Sequence, residues 1–414
     1  MKKTKIALLA IGFLLPFSLM AQWTKLSSPT TKDLNAVCFV SGQTGWAAGK
    51  DGIVIKTTNG GAAWAVQNAG ASKDLNTVFF VSEQTGWVGG KNGIIRKTND
   101  GGGTWTAQAT GTSKKINSIH FFDANNGIAV GEENLVLKTA NGGAVWSRTA
   151  GRPTDSDDDD DDDKDGHSLN KVQMLSAQKA FVCGDDGYFA VSNNGGSSWT
   201  VQPAGTTADL EGMHFVTEQS GYVCYKSGGV RKTNGTGSFT AVTAATSKDL
   251  NALYFITAEK GWAVGDDGRI QHTTNGGNSW VSQNVSGVTA ELKALHFPAA
   301  TAGYAVGKNG TILKSNGNSN GTTAISELET LNGIAFYPNP VNERLIISLS
   351  AAALTPGVAV QVIVADVYGR TVASVACKAS GKDLVIPAQH WAAGAYFVKV
   401  IAGDRIANGK IIKP

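Results

Sequence analysis

Acidic and amide side chains recur at two fixed positions along this 414-residue chain. One acid directly precedes each of several strand-like segments, and the set is Asp33, Asp74, Asp209, Asp249 and Glu291. One amide follows the first residue of such a segment, and the set is Asn35, Asn76, Asn117, Asn170 and Asn251. Both side-chain types bind backbone groups or polar ligands. The pattern predicts either loops fixed by their own side chains or a ring that binds an extended polymer or a partner chain.

A run of seven aspartates, residues 157–163, has no counterpart elsewhere in the chain. The end of the run reads Asp161-x-Asp163-x-Asp165-Gly166. This is the spacing of the first residues of an EF-hand calcium loop. The glutamate that ends a full loop is missing, since Val172 stands at that position. The run therefore predicts either a solvated loop of mutually repelling charges or a weak extracellular Ca²⁺ site. No other cofactor is predicted.

A third repeated position could hold metal ligands. The fifth residue of each strand-like segment is, in order, Cys38, Phe79, His120, Gln173, His214, Tyr254 and His296. Three histidines in alternate segments would suit a metal ion, but their sequence neighbours are apolar. This favours packing between repeats over metal binding.

These positions recur because the chain repeats about every 41 residues. The units open at Leu34, Leu75, Ile116, Leu169, Leu210, Leu250 and Leu292. Each unit contains four short strand-like segments, which we call a to d, a tight hairpin such as Asp51-Gly52 between b and c, and a box such as Thr57-x-Asn59-x-Gly61-x-x-Trp64 before d. Seven units of four strands predict an all-β chain with a seven-bladed β-propeller over residues 22–316, interrupted by the acidic insert at 150–168.

The chain also predicts how the ring closes. The seventh unit lacks a strand d, and Trp23 precedes Leu34 by the same number of residues as Trp64 precedes Leu75. The segment around Trp23 should therefore supply the missing strand of the last blade, so that no unpaired sheet edge remains between the first and last blades.

The boxes resemble the Asp-box (BNR) repeats of sialidases and related propellers. The whole unit, with Leu-Asn at its start and Gly-Trp-x-x-Gly inside it, resembles the photosystem II assembly and stability factor-like propellers over roughly residues 23–316. Sialidase activity would require three arginines near the axis, whereas Arg96, Arg231 and Arg269 fall on third strands. The resemblance thus implies the fold, and an enzyme is not predicted.

The two ends of the chain carry targeting signals. Residues 1–21 have the basic start and apolar stretch of a signal peptide. A polar linker, 317–332, precedes a small Ig-like β-sandwich at 333–414. Its Tyr337-Pro338-Asn339-Pro340 opening, its strand from Gly394 and its Lys410–Lys413 ending resemble the C-terminal sorting domain of the type IX secretion system. That resemblance implies a Bacteroidetes-like Gram-negative host and export through the periplasm and outer membrane, to the cell surface or beyond.

Composition excludes some functions. The formal net charge of +3 does not indicate nucleic-acid binding, and the four scattered cysteines form neither a disulfide framework nor a zinc motif.

The sequence therefore predicts a secreted, monomeric binding or scaffold module. Its partners would be a polypeptide or glycan outside the cell and, through the C-terminal domain, the type IX machinery. The alternative is a carbohydrate-active hydrolase of the Asp-box type, either sialidase-like or glucanase-like.

Overall fold

The computed structural model describes residues 23–149, 167–234, 238–315, 329–330, 334–348, 359–366, 371–378, 383–402 and 405–414. The chain divides into two units, Met1–Ser319 and Asn320–Pro414. The signal peptide predicted at 1–21 lies outside the described residues. No helix among the residues that the structure describes has the length and apolarity needed to span a bilayer.

The described part of the first unit forms seven four-stranded antiparallel sheets, which we call blades 1 to 7. The chain begins with β1 (Trp23–Lys25). Blades 1 to 3 are β2–β5 (Leu34–Phe39, Gly45–Gly49, Val54–Thr57, Ala65–Gln67), β6–β9 (Leu75–Phe80, Gly86–Gly90, Ile95–Thr98, Thr106–Gln108) and β10–β13 (Ile116–Phe121, Gly127–Gly131, Leu135–Thr139, Ser147–Arg148). Blades 4 to 6 are β14–β17 (Leu169–Met174, Ala180–Gly184, Phe189–Ser192, Thr200–Val201), β18–β21 (Leu210–Thr217, Ser220–Tyr225, Val230–Thr233, Phe239–Ala241) and β22–β25 (Leu250–Phe255, Gly261–Gly265, Ile270–Thr273, Val281–Ser282). Blade 7 is β26–β28 (Leu292–Ala299, Ala302–Gly307, Ile312–Ser315) together with β1.

The blades form a closed ring. The first strand of each blade contacts the first strand of the next, and β26 contacts β2. In blade 7, β1 pairs antiparallel with β28, with Trp23 opposite Ser315. The predicted propeller and its closure by the segment around Trp23 are confirmed.

Aromatic stacking joins neighbouring blades. Trp46 of blade 1 lies flat on Phe80 of blade 2, with ring centroids 3.5 Å apart. Gly86 makes this possible, because a Cβ there would lie 2.4 Å from the Phe80 ring. Equivalent stacks are Trp87 on Phe121, Phe181 on Phe215, Tyr222 on Phe255, Trp262 on Phe297 and Tyr304 on Phe39. At the junction of blades 3 and 4 the two positions are Ile128 and Met174.

The repeated boxes form hydrogen bonds at the same junctions. The Trp46 indole N–H donates to the carbonyl of Gly101 in the box of blade 2, at 3.0 Å. Within that box, the Thr98 hydroxyl accepts the N–H of Gly102 at 2.8 Å. The boxes of blades 1, 2 and 3 each accept such a bond from the preceding blade, from Tyr304, Trp46 and Trp87 respectively.

The turns between the second and third strands have the predicted hairpin geometry. Asp51 and Gly52 have φ angles of 52° and 71°, and the N–H of Ile53 donates to the carbonyl of Lys50. Two central residues with positive φ are typical of a type I′ turn. A Cβ on Gly52 would lie 1.9 Å from the carbonyl oxygen of Ala71, so only glycine fits there.

The second unit contains two sheets. The strands are β29–β36 (Glu329–Thr330, Ala335–Tyr337, Arg344–Ser348, Ala359–Asp366, Thr371–Lys378, Leu384–Pro387, Gly394–Ala402, Arg405–Lys413). A five-stranded sheet has the order β29-β36-β35-β32-β33, and a three-stranded sheet has the order β30-β31-β34. Side chains of both sheets, including Leu345, Val362 and Val400, pack in one core. Strand β29 lies within the segment predicted as a linker and pairs in parallel with β36.

Candidate functional site

The predicted acids lie where the turn of one blade meets the first strand of the next. The backbone N–H of Asp51, in the turn of blade 1, donates to Asp74 Oδ1 at 3.0 Å. Asp74 Oδ2 lies 2.8 Å from Lys91 Nζ, which holds the pKa of Asp74 below its usual value. The same type of N–H bond joins Asp33 to Asn309, Asp209 to Asp186 and Asp249 to Ser227. Each of these carboxylates clamps the preceding blade to its own.

The predicted asparagines make a second set of junctions. The Asn35 side-chain amide donates to the carbonyl of Leu75, at 2.9 Å, in the first strand of the next blade. The same bond is made by Asn76 to Ile116, Asn117 to Leu169, Asn170 to Leu210 and Asn251 to Leu292. The five amides lie around the axis, and each donates its N–H to a backbone carbonyl of the next blade.

The charge pattern of this face changes at blade 6. In four blades, a lysine at the start of the turn pairs with the acid before the first strand: Lys50 with Asp33, Lys91 with Asp74, Lys226 with Asp209 and Lys308 with Glu291. Blade 3 has the reverse pair, Glu132 with Lys115. In blade 6 both positions are acidic, Asp266 and Asp249. Within the described ranges, no cation lies within salt-bridge distance of either carboxylate.

A pocket of about 460 Å³ between blades 6 and 7 includes the unpaired acid. Asp266, Asp267, Glu291 and Lys308 line it. Burial raises the pKa of Asp266, and the neighbouring Glu291 and Asp249 carboxylates raise it further. We call this the blade 6 pocket. The turn sequence alone does not reveal this pocket, because blades 4 and 6 both read Asp-Asp-Gly there. Blade 6 differs in that an acid, Asp249, also precedes its first strand, where blade 4 has Ser168.

A second cavity, of about 280 Å³, lies on the propeller axis. It contains His120, His214 and His296, whose pKa values burial lowers to about 4, about 3 and about 4. The rings pack on neighbours, with His214 4.0 Å from Tyr254 between centroids. In the part of the chain that the structure describes, no three His, Cys, Asp or Glu side chains are grouped to hold a metal ion.

Arginine and carboxylate side chains do not line this axial cavity among the described residues. Arg96 lies on β8 and Arg231 on β20, whereas Arg269 lies in the turn before β24 rather than on a third strand. The predicted calcium ligands Asp161, Asp163 and Asp165 lie outside the described residues, and that site stays a prediction.

Residues 15–109, 70–153, 103–201 and 188–316 match the model of the family described as photosynthesis system II assembly factor YCF48. These matches span more than half of the chain. The chain belongs to the YCF48 family. No curated protein matches the chain.

Solved structures agree with the YCF48 fold. The structure described as YCF48 from Cyanidioschyzon merolae is 20% identical, with a TM-score of 0.60, covering 72% of this chain and 99% of that one. A structure described as YCF48 bound to D1 peptide is 16% identical, with a TM-score of 0.58, covering 71% and 96%. The WD40 propeller domain of Doa1 is 11% identical, with a TM-score of 0.56, covering 72% and 99%. At these identities the likeness establishes the propeller fold alone.

Residues 335–414 match the secretion system C-terminal sorting domain. This YCF48-family propeller therefore carries a type IX sorting domain, as the sequence predicted. The domain directs the chain to secretion or to the cell surface.

Proposed function

We propose that the chain is a surface-directed, non-enzymatic propeller that binds a polypeptide at the blade 6 pocket. The observation that carries this is Asp266, which accepts a hydrogen bond from the Asn251 side chain but has no cation partner among the described residues. Every other blade that has an acid before its first strand and a lysine in its turn neutralises both groups within the fold. At blade 6 the two acids lack a cation among the described residues, so a basic side chain of a partner would supply it.

Two further observations support a polypeptide rather than a glycan. The described lining of the blade 6 pocket contains no aromatic ring on which a sugar could stack. A relative with the same fold is known with a peptide bound. The bound segment would place a lysine or arginine beside Asp266, since Glu291 already pairs with Lys308.

Peptide and glycan arrays, probed with the full chain and with Asp266→Asn, test this proposal. We expect binding to lysine- or arginine-containing peptides that weakens with salt and falls about tenfold in the variant. The matched control is Asp51→Asn, which removes an acid from the equivalent turn of blade 1, where Lys32 pairs with it. Binding to glycans alone, or equal binding by Asp266→Asn and wild type, would overturn the proposal.

The export route belongs to the same proposal. A signal peptide at 1–21 would take the chain to the periplasm, and the sorting domain would take it across the outer membrane. The propeller would then meet its polypeptide partner outside the cell.

Asp266 also favours a second candidate function, the carbohydrate-active hydrolase. Glycosidases use a pair of carboxyl groups, of which the general acid has a raised pKa. The raised pKa of Asp266 next to Glu291 fits that requirement. Hydrolysis of a panel of sialosides and β-glucans by the wild type, lost in Asp266→Asn, would establish it, and absence of turnover by the wild type would exclude it for those substrates.

A further inference from the structure

The side chains around the propeller axis change from polar to apolar along its length. The third and fifth residues of the first strands line the axial cavity, and the seventh residues, which alternation places on the same side of each strand, lie beyond that lining. The third residues are Ala36, Thr77, Ser118, Lys171, Gly212, Ala252 and Ala294. Six of these are small, and Lys171 is the single charged side chain among them.

Lys171 forms no salt bridge with a described residue, although the Glu211 carboxylate is close enough to attract it. Among the described residues no carboxylate lies within salt-bridge distance of its ammonium, and the nearby Glu211 pairs with Lys226 at 3.6 Å. Lys171 is half-buried, and the partial loss of water around its ammonium lowers the pKa of the group. Since the three axial histidines are neutral at pH 7, the Lys171 amine is the one basic group of the described cavity lining that can pair with an anion.

The opposite end of the axis is apolar. The seventh residues are Val40, Val81, Phe122, Leu175, Val216, Ile256 and Pro298, and all seven are half-buried or exposed. Phe122 retains 38% of its surface in contact with solvent. Four residues of extended chain separate this apolar ring from the layer of Lys171, a distance of about 13 Å.

We propose that the axial cavity binds a monocarboxylate with an apolar body. The carboxylate would pair with Lys171, the body would pass between the rings of Phe79, Tyr254 and the histidines, and the tail would reach the apolar ring. One ammonium matches one negative charge, and a bound carboxylate would give the half-buried Lys171 the salt bridge that it lacks among the described residues. The volume of the cavity, about 280 Å³, is just below the range of about 300–1,000 Å³ that is typical of sites for drug-sized ligands. The bound group is therefore small. Its source is either a free organic acid or the terminal carboxylate of a polypeptide.

Calorimetric titration of the full chain distinguishes these sources. The probes are octanoate, octanol, and a short peptide with apolar last residues made as the free acid and as the amide. We expect octanoate to bind at least tenfold more tightly than octanol, and Lys171→Met to lose at least tenfold in octanoate affinity. Lys171→Thr, which copies Thr77 of blade 2, gives a second variant with a residue that the fold already accepts. Lys73→Met, at an exposed lysine outside the cavity, should bind as the wild type does.

The outcomes are distinct. Octanoate binding that needs Lys171 supports a free acid, and binding of the peptide acid but of neither its amide nor octanoate supports a polypeptide terminus. Equal binding of acid and neutral probes, unchanged binding by both Lys171 variants, or no binding of any acid at millimolar concentration overturns the proposal. Asp266→Asn should leave octanoate binding unchanged, which separates this site from the blade 6 pocket.

Discussion

The indole N–H of Trp23 donates a buried hydrogen bond of 3.0 Å to Oε1 of Gln283, although the two residues are 260 positions apart in the chain. The same oxygen accepts the indole N–H of Trp262 at 3.1 Å. One glutamine of blade 6 therefore binds a tryptophan of its own blade and the tryptophan that completes blade 7. The closure of the ring rests on this shared acceptor as well as on strand pairing.

Replacing Trp23 should open the ring. Trp23 is 1% exposed and packs edge-on against Phe297. We expect Trp23→Ala to lower the free energy of unfolding by about 3–5 kcal/mol, measured by urea unfolding of the full chain. The control is Val281→Ala on β25, where the side chain is 51% exposed. Similar losses for the two variants would contradict a special role for the closing strand.

The clamp role of the acids predicts a graded effect at Asp74. Asp74→Ala removes the acceptor for the Asp51 N–H and the partner of Lys91, so we expect a loss of about 1–3 kcal/mol in the free energy of unfolding. Asp74→Asn keeps an acceptor oxygen and loses only a solvent-exposed ion pair, which is worth about 1 kcal/mol or less. Thermal melting of both variants compares them. A larger loss in Asp74→Asn than in Asp74→Ala would show that the carboxylate acts otherwise.

The axial histidines predict a pH dependence of stability. Their folded pKa values, about 4, about 3 and about 4 for His120, His214 and His296, lie below the unfolded value of 6.5. As the pH falls through 6.5, the unfolded chain takes up protons that the folded chain does not, so the folded state loses stability down to about pH 4. Each histidine contributes a loss of about 3 kcal/mol.

Urea unfolding at pH 7.5, 6, 5 and 4.5 measures this loss. The matched variant is His214→Gln, because Gln173 occupies the equivalent position in blade 4 and bonds the backbone of Phe215 in both directions. We expect the variant to show a smaller fall in stability between pH 6.5 and 4.5. The same slope in both proteins would assign the acid sensitivity to other groups.

The sorting domain predicts the fate of a truncated chain. Ending the chain after Ser326 removes the region that matches the sorting domain and leaves the propeller strands complete. We expect the truncated protein to accumulate in the periplasm of the native host, measured by immunoblotting of cell fractions. Normal amounts outside the cell would show that another segment directs export.

The sequence predicted the number of blades, the closing strand and the sorting domain, because each depends on spacing that repeats or on local motifs. It singled out Asp74 and Asn35 but left open whether they fix loops or bind a ligand. Asp51 lies 23 positions from its partner Asp74, and Leu75 lies 40 positions from its partner Asn35. Only the packing of neighbouring blades brings these groups within hydrogen-bond distance. The lack of a salt-bridge partner for Lys171 depends on burial and on the pairing of Glu211 with Lys226, which no spacing reveals.

A closed ring has no end from which to fray, so its first opening occurs at its weakest joint. Six of the seven junctions stack an aromatic ring on a phenylalanine, whereas blades 3 and 4 meet through Ile128 and Met174. The acidic insert connects the same two blades. We therefore expect the ring to open first at this junction, which lacks the aromatic stack of the other six and is also where the repeat accepts added length.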